Sequence, residues 1–367
     1  MQGYWPFVPQ YLQSAETGMP LMGVTDWISA EVPGSVYRDL LRAGEIKDPY
    51  YERNSLQCEW VANRWWVYRT HFCLTPNPSK EYRLVLTGVD YEASIYLNDI
   101  PIGNCKGLYK AFDRDITTFL HSDAENTLLV ILKNAPEEMG QIGITEQTET
   151  LKTRFGYKWD FGTRLVNLGI TGEAYIQEID AFRMEDQQLV TSPQDDGRWE
   201  LTVISGVYSR LDGQAEWDAA LLYKGQEVAS KRVTAELCRG INRIVIRLLV
   251  ENPVLWWPNG YGNPALYTLR LTIGKNGCAD CSKEMYVGFR TREYRLPQGA
   301  SSGTQPYWLY INHRPIYLKG VNMVPLDHLY GCIDEARYVR LLSQLQAAGV
   351  NLIRVWGGGL IESELFY

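Results

Sequence analysis

The sequence predicts a mainly β protein, two successive sandwiches followed by the opening of an α/β domain, and three observations predict it. From Trp60 onward, short alternating runs of four to nine residues are separated by Pro, Gly, Asn and Asp, the spacing of an all-β sandwich. A polar stretch, Met184–Gly197, interrupts them, and a second set of such runs fills roughly residues 200–295. After Pro297 the pattern becomes strand, helix, strand, helix, which opens a parallel α/β unit.

The first set begins with a helix, Ser35–Ala43, carrying apolar Val36, Leu40 and Leu41 and closed by Gly44. The strands WWVYRTHFCL, YRLVLTGVD, ASIYLNDIPIGNC and NTLLVILKN follow. Within SIYLNDIPIG an Asn-Asp pair between two β-rich runs signals a hairpin. The stretch MEDQQLVTSPQDDG has the composition of a linker or wide turn. WELTVISGVYS, AEWDAALLYKG, INRIVIRLLV, LYTLRLTIG and KEMYVGFRTREY supply the second sandwich. WWPNGYGNP, Trp256–Pro264, is expected to fix a corner between domains, its Gly and Pro setting tight turns. The α/β part reads as an apolar strand at Ile316–Val321, a helix with Val339, Leu342, Leu345 and Ala348 on one face, and a buried strand at Asn351–Val355. Asp334 is the expected N-cap and Gly349 the C-cap of that helix, and IESELFY begins a second helix. These last seventy residues supply at most two βα units, whereas a closed (β/α)₈ barrel needs about 250 residues.

Composition narrows the function. Among 367 residues, 32 Gly serve as turn formers, while twelve Trp and 24 Tyr suit pleated, half-buried surfaces. They also suit sugar recognition, where a flat ring meets C–H groups and Tyr or Trp adds a polar edge; filling sandwich cores is the other use for them. A net charge of −7 with scattered basic residues argues against nucleic acid as a partner. No run of about 18 apolar residues marks a membrane span, and the start MQGYWPFVPQYL lacks the basic and apolar blocks of a signal peptide. Seven cysteines without framework spacing suit a reducing compartment, so a cytoplasmic location is expected. Cys278 and Cys281 form a lone C-x-x-C in what reads as a hairpin tip. With four histidines and no second pair, no metal or other cofactor is expected.

Seven phrases in order carry a resemblance: VPGSVYRDLLRAGEIKDPYYERN, LTGVDYEASIYLNDIPIG, YKWDFGTRLVNLGI, WWPNGYGNPALYTL, VGFRT, YLKGVNMVP and IRVWGGG. Together they resemble glycoside hydrolase family 2, in its β-mannosidase branch, over about residues 25–367. The resemblance implies a jelly-roll sugar-binding-type domain at 1–184, an immunoglobulin-like β-sandwich at 185–296, and the truncated start of a TIM-barrel catalytic domain at 297–367. It implies a retaining exo-β-glycosidase that removes terminal β-linked mannose from oligosaccharides without a cofactor. Such a mechanism uses two carboxyl groups about 5–5.5 Å apart, one as acid/base and one as nucleophile. In the family both glutamates belong to later strands than any encoded here, so the chain alone is expected to be inactive. Glu362 and Glu364 fall instead in the first turn of the expected second helix.

What the resemblance does place in this chain is sugar-holding residues. Trp159 and Asp160 match the W-D of the family's W-D-W-G motif, where the aspartate accepts hydrogen bonds from sugar hydroxyls; Phe161 stands where the second Trp is usual and removes an N–H donor. Without the resemblance, Asp160 capping a turn above a packed Trp159 explains the same residues. Trp356 is implied to wall the subsite of the cleaved sugar and Arg354 to orient the catalytic carboxylates. The alternatives are a loop-packing aromatic and a buried ion pair. Asn322 is a further candidate, beside Met323 at a position where the family commonly has Trp. The three glycines after Trp356 also suggest a phosphate cradle, but the P-loop lysine and the G-x-G-x-x-G pattern are missing. Two other readings remain at this point: a stand-alone carbohydrate-binding or interaction module, and a relative acting on β-glucosaminides, β-glucuronides or β-galactosides. The oligomeric state is not legible.

Overall fold

The computed structural model describes residues 2–4, 27–137, 148–275 and 277–367. The chain is mainly β and divides into two compact units. One comprises Met1–Glu178, Asn322–Leu341 and Arg354–Tyr367, and the other Ile179–Val321 and Leu342–Ile353. No helix among the described residues is long and apolar enough to cross a membrane.

In the first unit, α1 (Val36–Arg42) and α2 (Asn54–Gln57) precede most of the strands. Val36 and Leu40 of α1 are buried as expected, Leu41 is not, and Gly44 ends the helix in a left-handed conformation (φ +77°). A five-stranded antiparallel sheet runs in the order β1 (Gln2–Tyr4), β2 (Trp65–Phe72), β8 (Asn126–Leu132), β5 (Glu92–Leu97), β6 (Ile100–Lys106). A second sheet joins β10 (Ala174–Ile179), β3 (Glu81–Leu86) and β7 (Phe112–Asp115). The short strands β4 (Val89–Asp90) and β9 (Gly169–Ile170) pair with one another. Trp66, Leu84, Leu86, Ile95, Val130 and Leu132 from both sheets share one core. The expected hairpin is present between β5 and β6, with Asn98 and Asp99 both at positive φ (53° and 63°), the backbone of a two-residue turn that matches strand twist.

The second unit is a sandwich of β11 (Phe182–Pro193), β12 (Trp199–Ser209) and β15 (Gly240–Val250) with β14 (Gln226–Leu237), β13 (Gly213–Tyr223), β16 (Tyr267–Lys275) and β17 (Cys278–Val287). β12 alternates strictly between buried and half-buried positions along its length, so Leu201, Val203 and Val207 meet Trp217, Leu269 and Leu271 in the core. The expected linker at Met184–Gly197 is largely strand instead: most of it is β11, paired to β12 with an irregularity between Met184 and Gln187. An edge strand needs apolar residues on one face only, which is why its composition resembles a linker. The Trp256–Pro264 segment closes on itself, Trp256 bridging Pro264 and Trp257 N donating to Asn263 O at 3.0 Å.

β18 (Arg292–Arg295), β19 (Trp308–Ile311) and β20 (Arg314–Pro315) make a small antiparallel sheet. β21 (Gly320–Met323), α3 (Glu335–Ala347) and β22 (Leu352–Val355) then form a strand–helix–strand unit. Leu352 N donates to Lys319 O and Trp356 N to Met323 O; the register advances four residues in the same direction on both sides, so the strands are parallel. α3 is capped as expected, Asp334 Oδ1 accepting from Arg337 N at 2.8 Å and Gly349 following at φ +76°. Three details differ from expectation. The first strand starts at Gly320 rather than Ile316. β22 is not buried, with Leu352 43% exposed. Residues 361–367 form no helix: Leu360 and Glu362 are buried while Ile361 and Ser363 are exposed, an alternation that belongs to extended chain rather than to a helical turn.

Candidate functional site

The segment that carries Trp159 and Asp160 is a narrow hairpin in the first unit. A single 3₁₀ turn, Phe155–Tyr157, roots it, with both aromatic rings buried and Tyr157 Oη donating to Pro136 O at 2.5 Å. Leu165 N donates to Gly156 O at 2.7 Å, and at the tip Trp159 and Gly162 exchange backbone bonds of 3.2 and 3.4 Å. Asp160 and Phe161 are therefore the two turn residues, and both are exposed. Gly162 is fixed by a close approach: an added Cβ would lie 2.6 Å from Cε1 and Nε2 of His328.

Trp356 leaves the end of β22 and meets this hairpin. Its ring lies edge-on to Trp159, with centroids 4.9 Å apart at 61°, and to Phe161, at 5.8 Å and 76°, the geometry favoured by the quadrupoles of aromatic rings. The glycines after it have steric work to do. A Cβ on Gly358 would sit 2.5 Å from Trp356 Cζ2, so the indole folds over its own turn, and Gly359 N donates to Trp356 O at 3.0 Å. Beneath these residues Leu108, Phe155, Tyr330 and Leu360 form a small apolar cluster against which Trp356 packs.

Arg354 and Asn322 face each other on the parallel strands, Arg354 Nη1 donating to Asn322 Oδ1 at 3.2 Å, both exposed. Arg354's partner is thus an amide and not the buried carboxylate of the alternative reading. Asp327, five residues after Asn322, is fully engaged: it accepts from Tyr50 Oη, from Arg337 Nη1 at 2.6 Å and from Leu329 N at 2.9 Å. The structure therefore brings Trp159 together with Trp356, and Asn322 with Arg354, and leaves the Asp160 carboxylate open at the tip.

Glu362 lies outside any helix, not in the first turn of one as the sequence predicts. It is 7% exposed and accepts from Tyr338 Oη at 2.5 Å, and burial raises its pKa above the usual glutamate value although that bond opposes the shift. Two features carried no sequence signal. His328 stands edge-on to Phe155 with ring centroids 5.3 Å apart, and its Nε2 is buried without a hydrogen-bond partner. Burial lowers its pKa below 6.5, while Asp327 and the Thr163 backbone act the other way. Tyr330, from the same segment, is buried against Asp90, and burial first, then that carboxylate, push its phenol well above the usual value, so it stays a donor. An imidazole of this kind is visible only once Gly162 is placed against it.

Residues 11–172 match the family described as glycosyl hydrolase 2 galactose-binding domain-like, and residues 183–290 match glycosyl hydrolases family 2. The chain belongs to glycosyl hydrolase family 2. Within that family it is similar to β-mannosidases. It is 28% identical to β-mannosidase B of Aspergillus terreus over 99% of this chain and 43% of the relative, and 26% identical to the β-mannosidase of Capra hircus over 93% and 41%. Among solved structures, the β-D-mannosidase from Dictyoglomus thermophilum superimposes with a TM-score of 0.84 at 28% identity, covering 93% of this chain and 43% of that one. The exo-chitosanase of Amycolatopsis orientalis shares the fold, with a TM-score of 0.73 at 20% identity over 100% of this chain and 41% of its own. The chain spans about two fifths of the length of the curated relatives it matches.

Proposed function

We propose that this chain supplies the sugar-holding walls of a retaining exo-β-glycosidase that removes terminal β-linked mannose from oligosaccharides. The observation that carries the proposal is the contact of Trp159 with Trp356 beside an open Asp160. An aromatic face can meet the C–H face of a pyranose, and a carboxylate at its edge can accept from two neighbouring hydroxyls through its two oxygens. Arg354, steered by Asn322, offers a fixed positive charge for orienting carboxylates near the reacting carbon. The reaction itself needs an acid/base and a nucleophile about 5–5.5 Å apart. Glu362 is occupied by Tyr338 and is not proposed for either role; both carboxyl groups are assigned to other parts of the protein. Residues 297–367 are assigned to the start of a (β/α)₈ barrel, a reading supported by the parallel β21–α3–β22 unit, with domain divisions near 184 and 296. Cys58, Cys73, Cys105, Cys238, Cys281 and Cys332 are free thiols, as a reducing, cytoplasmic setting would require.

The test compares this chain and a version extended at its C-terminus on an aryl β-mannoside. Turnover by the extended protein, with binding but no turnover by the 367-residue chain, is the expected result. Turnover by the shorter chain would overturn the assignment of the carboxylates. Phe161, exposed at the tip and apolar, favours one competing reading, a preference for another β-glycoside. Parallel assays on aryl β-glucosaminide, β-glucuronide and β-galactoside decide between them.

A further inference from the structure

The hairpin that presents Asp160 has a base as well as a tip, and the base is ionic. Lys152 Nζ donates to Asn167 O at 2.7 Å, joining the outgoing and returning strands of the loop. The same ammonium donates to Asp90 Oδ1 at 2.5 Å and lies 3.4 Å from Tyr330 Oη. Tyr330 donates to Asp90 Oδ2 and accepts from Thr153 Oγ1 at 3.0 Å. Asn167 in turn accepts from Ser35 Oγ at 2.5 Å and donates to Tyr330 O at 3.4 Å. The Lys152 and Asp90 side chains are 1% and 0% exposed.

Stability alone is a poor explanation for such an arrangement. The desolvation of two buried charges cancels much of their attraction, and a well-packed apolar replacement commonly holds as firmly. What an apolar plug lacks is direction. Each bond here has a fixed donor and acceptor, and together they lock Lys152 and Thr153 at one root of the hairpin and Asn167 at the other to Tyr330. Tyr330 belongs to the same segment as His328, which backs Gly162 near the tip. Base and tip are thus held against one continuous piece of chain.

We propose that Lys152, Asp90 and Tyr330 are positioning residues, fixing the angle at which the hairpin presents Asp160 to a glycoside. They act on ligand affinity through the geometry of the tip, without touching the ligand. This inference rests on the glycoside-binding reading of the same site, and its test separates the two.

The 367-residue chain is labelled with 5-fluorotryptophan, and the ¹⁹F resonances of Trp159 and Trp356 are assigned by single Trp→Phe substitutions. Two variants remove the base bonds: Tyr330→Phe, which deletes one hydroxyl, and the double variant Lys152→Met with Asp90→Asn, which deletes the charges. In both, the Trp159 and Trp356 resonances are expected to move or broaden while that of Trp217, in the core of the second unit, stays in place. The dissociation constant for methyl β-mannoside is expected to rise about tenfold. Unmoved Trp159 and Trp356 resonances in both variants would overturn the proposal, as would equal movement of Trp217, which would mean general loosening. If the wild-type chain binds no β-mannoside, the glycoside reading fails, and the fluorine spectra still decide whether the base positions the tip.

Discussion

Replacing Gly162 by alanine tests the fit of the hairpin against His328 with a single methyl group. The added Cβ would lie 2.6 Å from two atoms of the imidazole, whereas carbon contacts relax at about 3.5–4.0 Å, so a retreat of about 1 Å is required. His328 cannot supply it easily, because its ring abuts Phe155, which is 1% exposed. The retreat falls on the tip, whose backbone bonds of 3.2 and 3.4 Å are already long, and Trp159 is carried away from Trp356. Overpacking of this size costs about 1–3 kcal/mol, and loss of the aromatic pair adds about 0.5–1.5 kcal/mol. Urea unfolding followed by far-ultraviolet circular dichroism measures the first effect, and the exciton signal of the two indoles reports the second. A Gly162→Ala chain with an unchanged unfolding midpoint and an intact indole signal would refute the steric argument. Adding His328→Ala should restore both, since the cavity it opens receives the methyl group.

Three further outcomes follow from the same geometry. Asp160→Asn keeps the shape of the tip but removes a charge-assisted acceptor worth about 1.5–3 kcal/mol, so β-mannoside binding by calorimetry should weaken about ten- to a hundredfold with unchanged stability. Asp39 is buried with Oδ2 unpartnered, and desolvation raises its pKa to about 6 in spite of the Glu31 N–H and Arg42. Because the folded carboxyl holds its proton more tightly than the unfolded one, its contribution is present below about pH 4 and is lost as pH rises through 6, at most about 3 kcal/mol; Asp39→Asn should stabilise the chain at pH 8 and much less at pH 4, as read by urea titration. His328 has the opposite slope: its folded pKa lies below 6.5, the unfolded state takes up the proton first, and stability falls as pH drops below 6.5. The indole signal should fade over that range, and His328→Gln should flatten the profile.

The strands were legible because their alternation is local. β12 repeats every two residues from Trp199 to Ser209, and the turn at Asn98–Asp99 is written in two adjacent residues. β11 was harder, because an edge strand with one solvent face carries few apolar residues. The end of the chain misled for a related reason: IESELFY has helical composition, while burial of Leu360 and Glu362 imposes an extended path. Of the site, Trp159 and Trp356 were singled out separately through motif resemblance, but nothing in the sequence announced that their rings touch. The roles of Lys152, Asp90, His328 and Tyr330 were not legible, since their partners come from distant parts of the sequence and no short pattern announces them.

The contact between Trp159 and Trp356 also has a kinetic meaning. It joins residues far apart along the chain, and closing such a span costs entropy before any contact is gained. The two indoles should therefore meet late in folding, after the local hairpins of the sandwiches, and separate early when the chain begins to open. Their exciton signal would serve as a clock for the completion of the native state, marking the moment at which a collapsed chain brings Trp159 and Trp356 together.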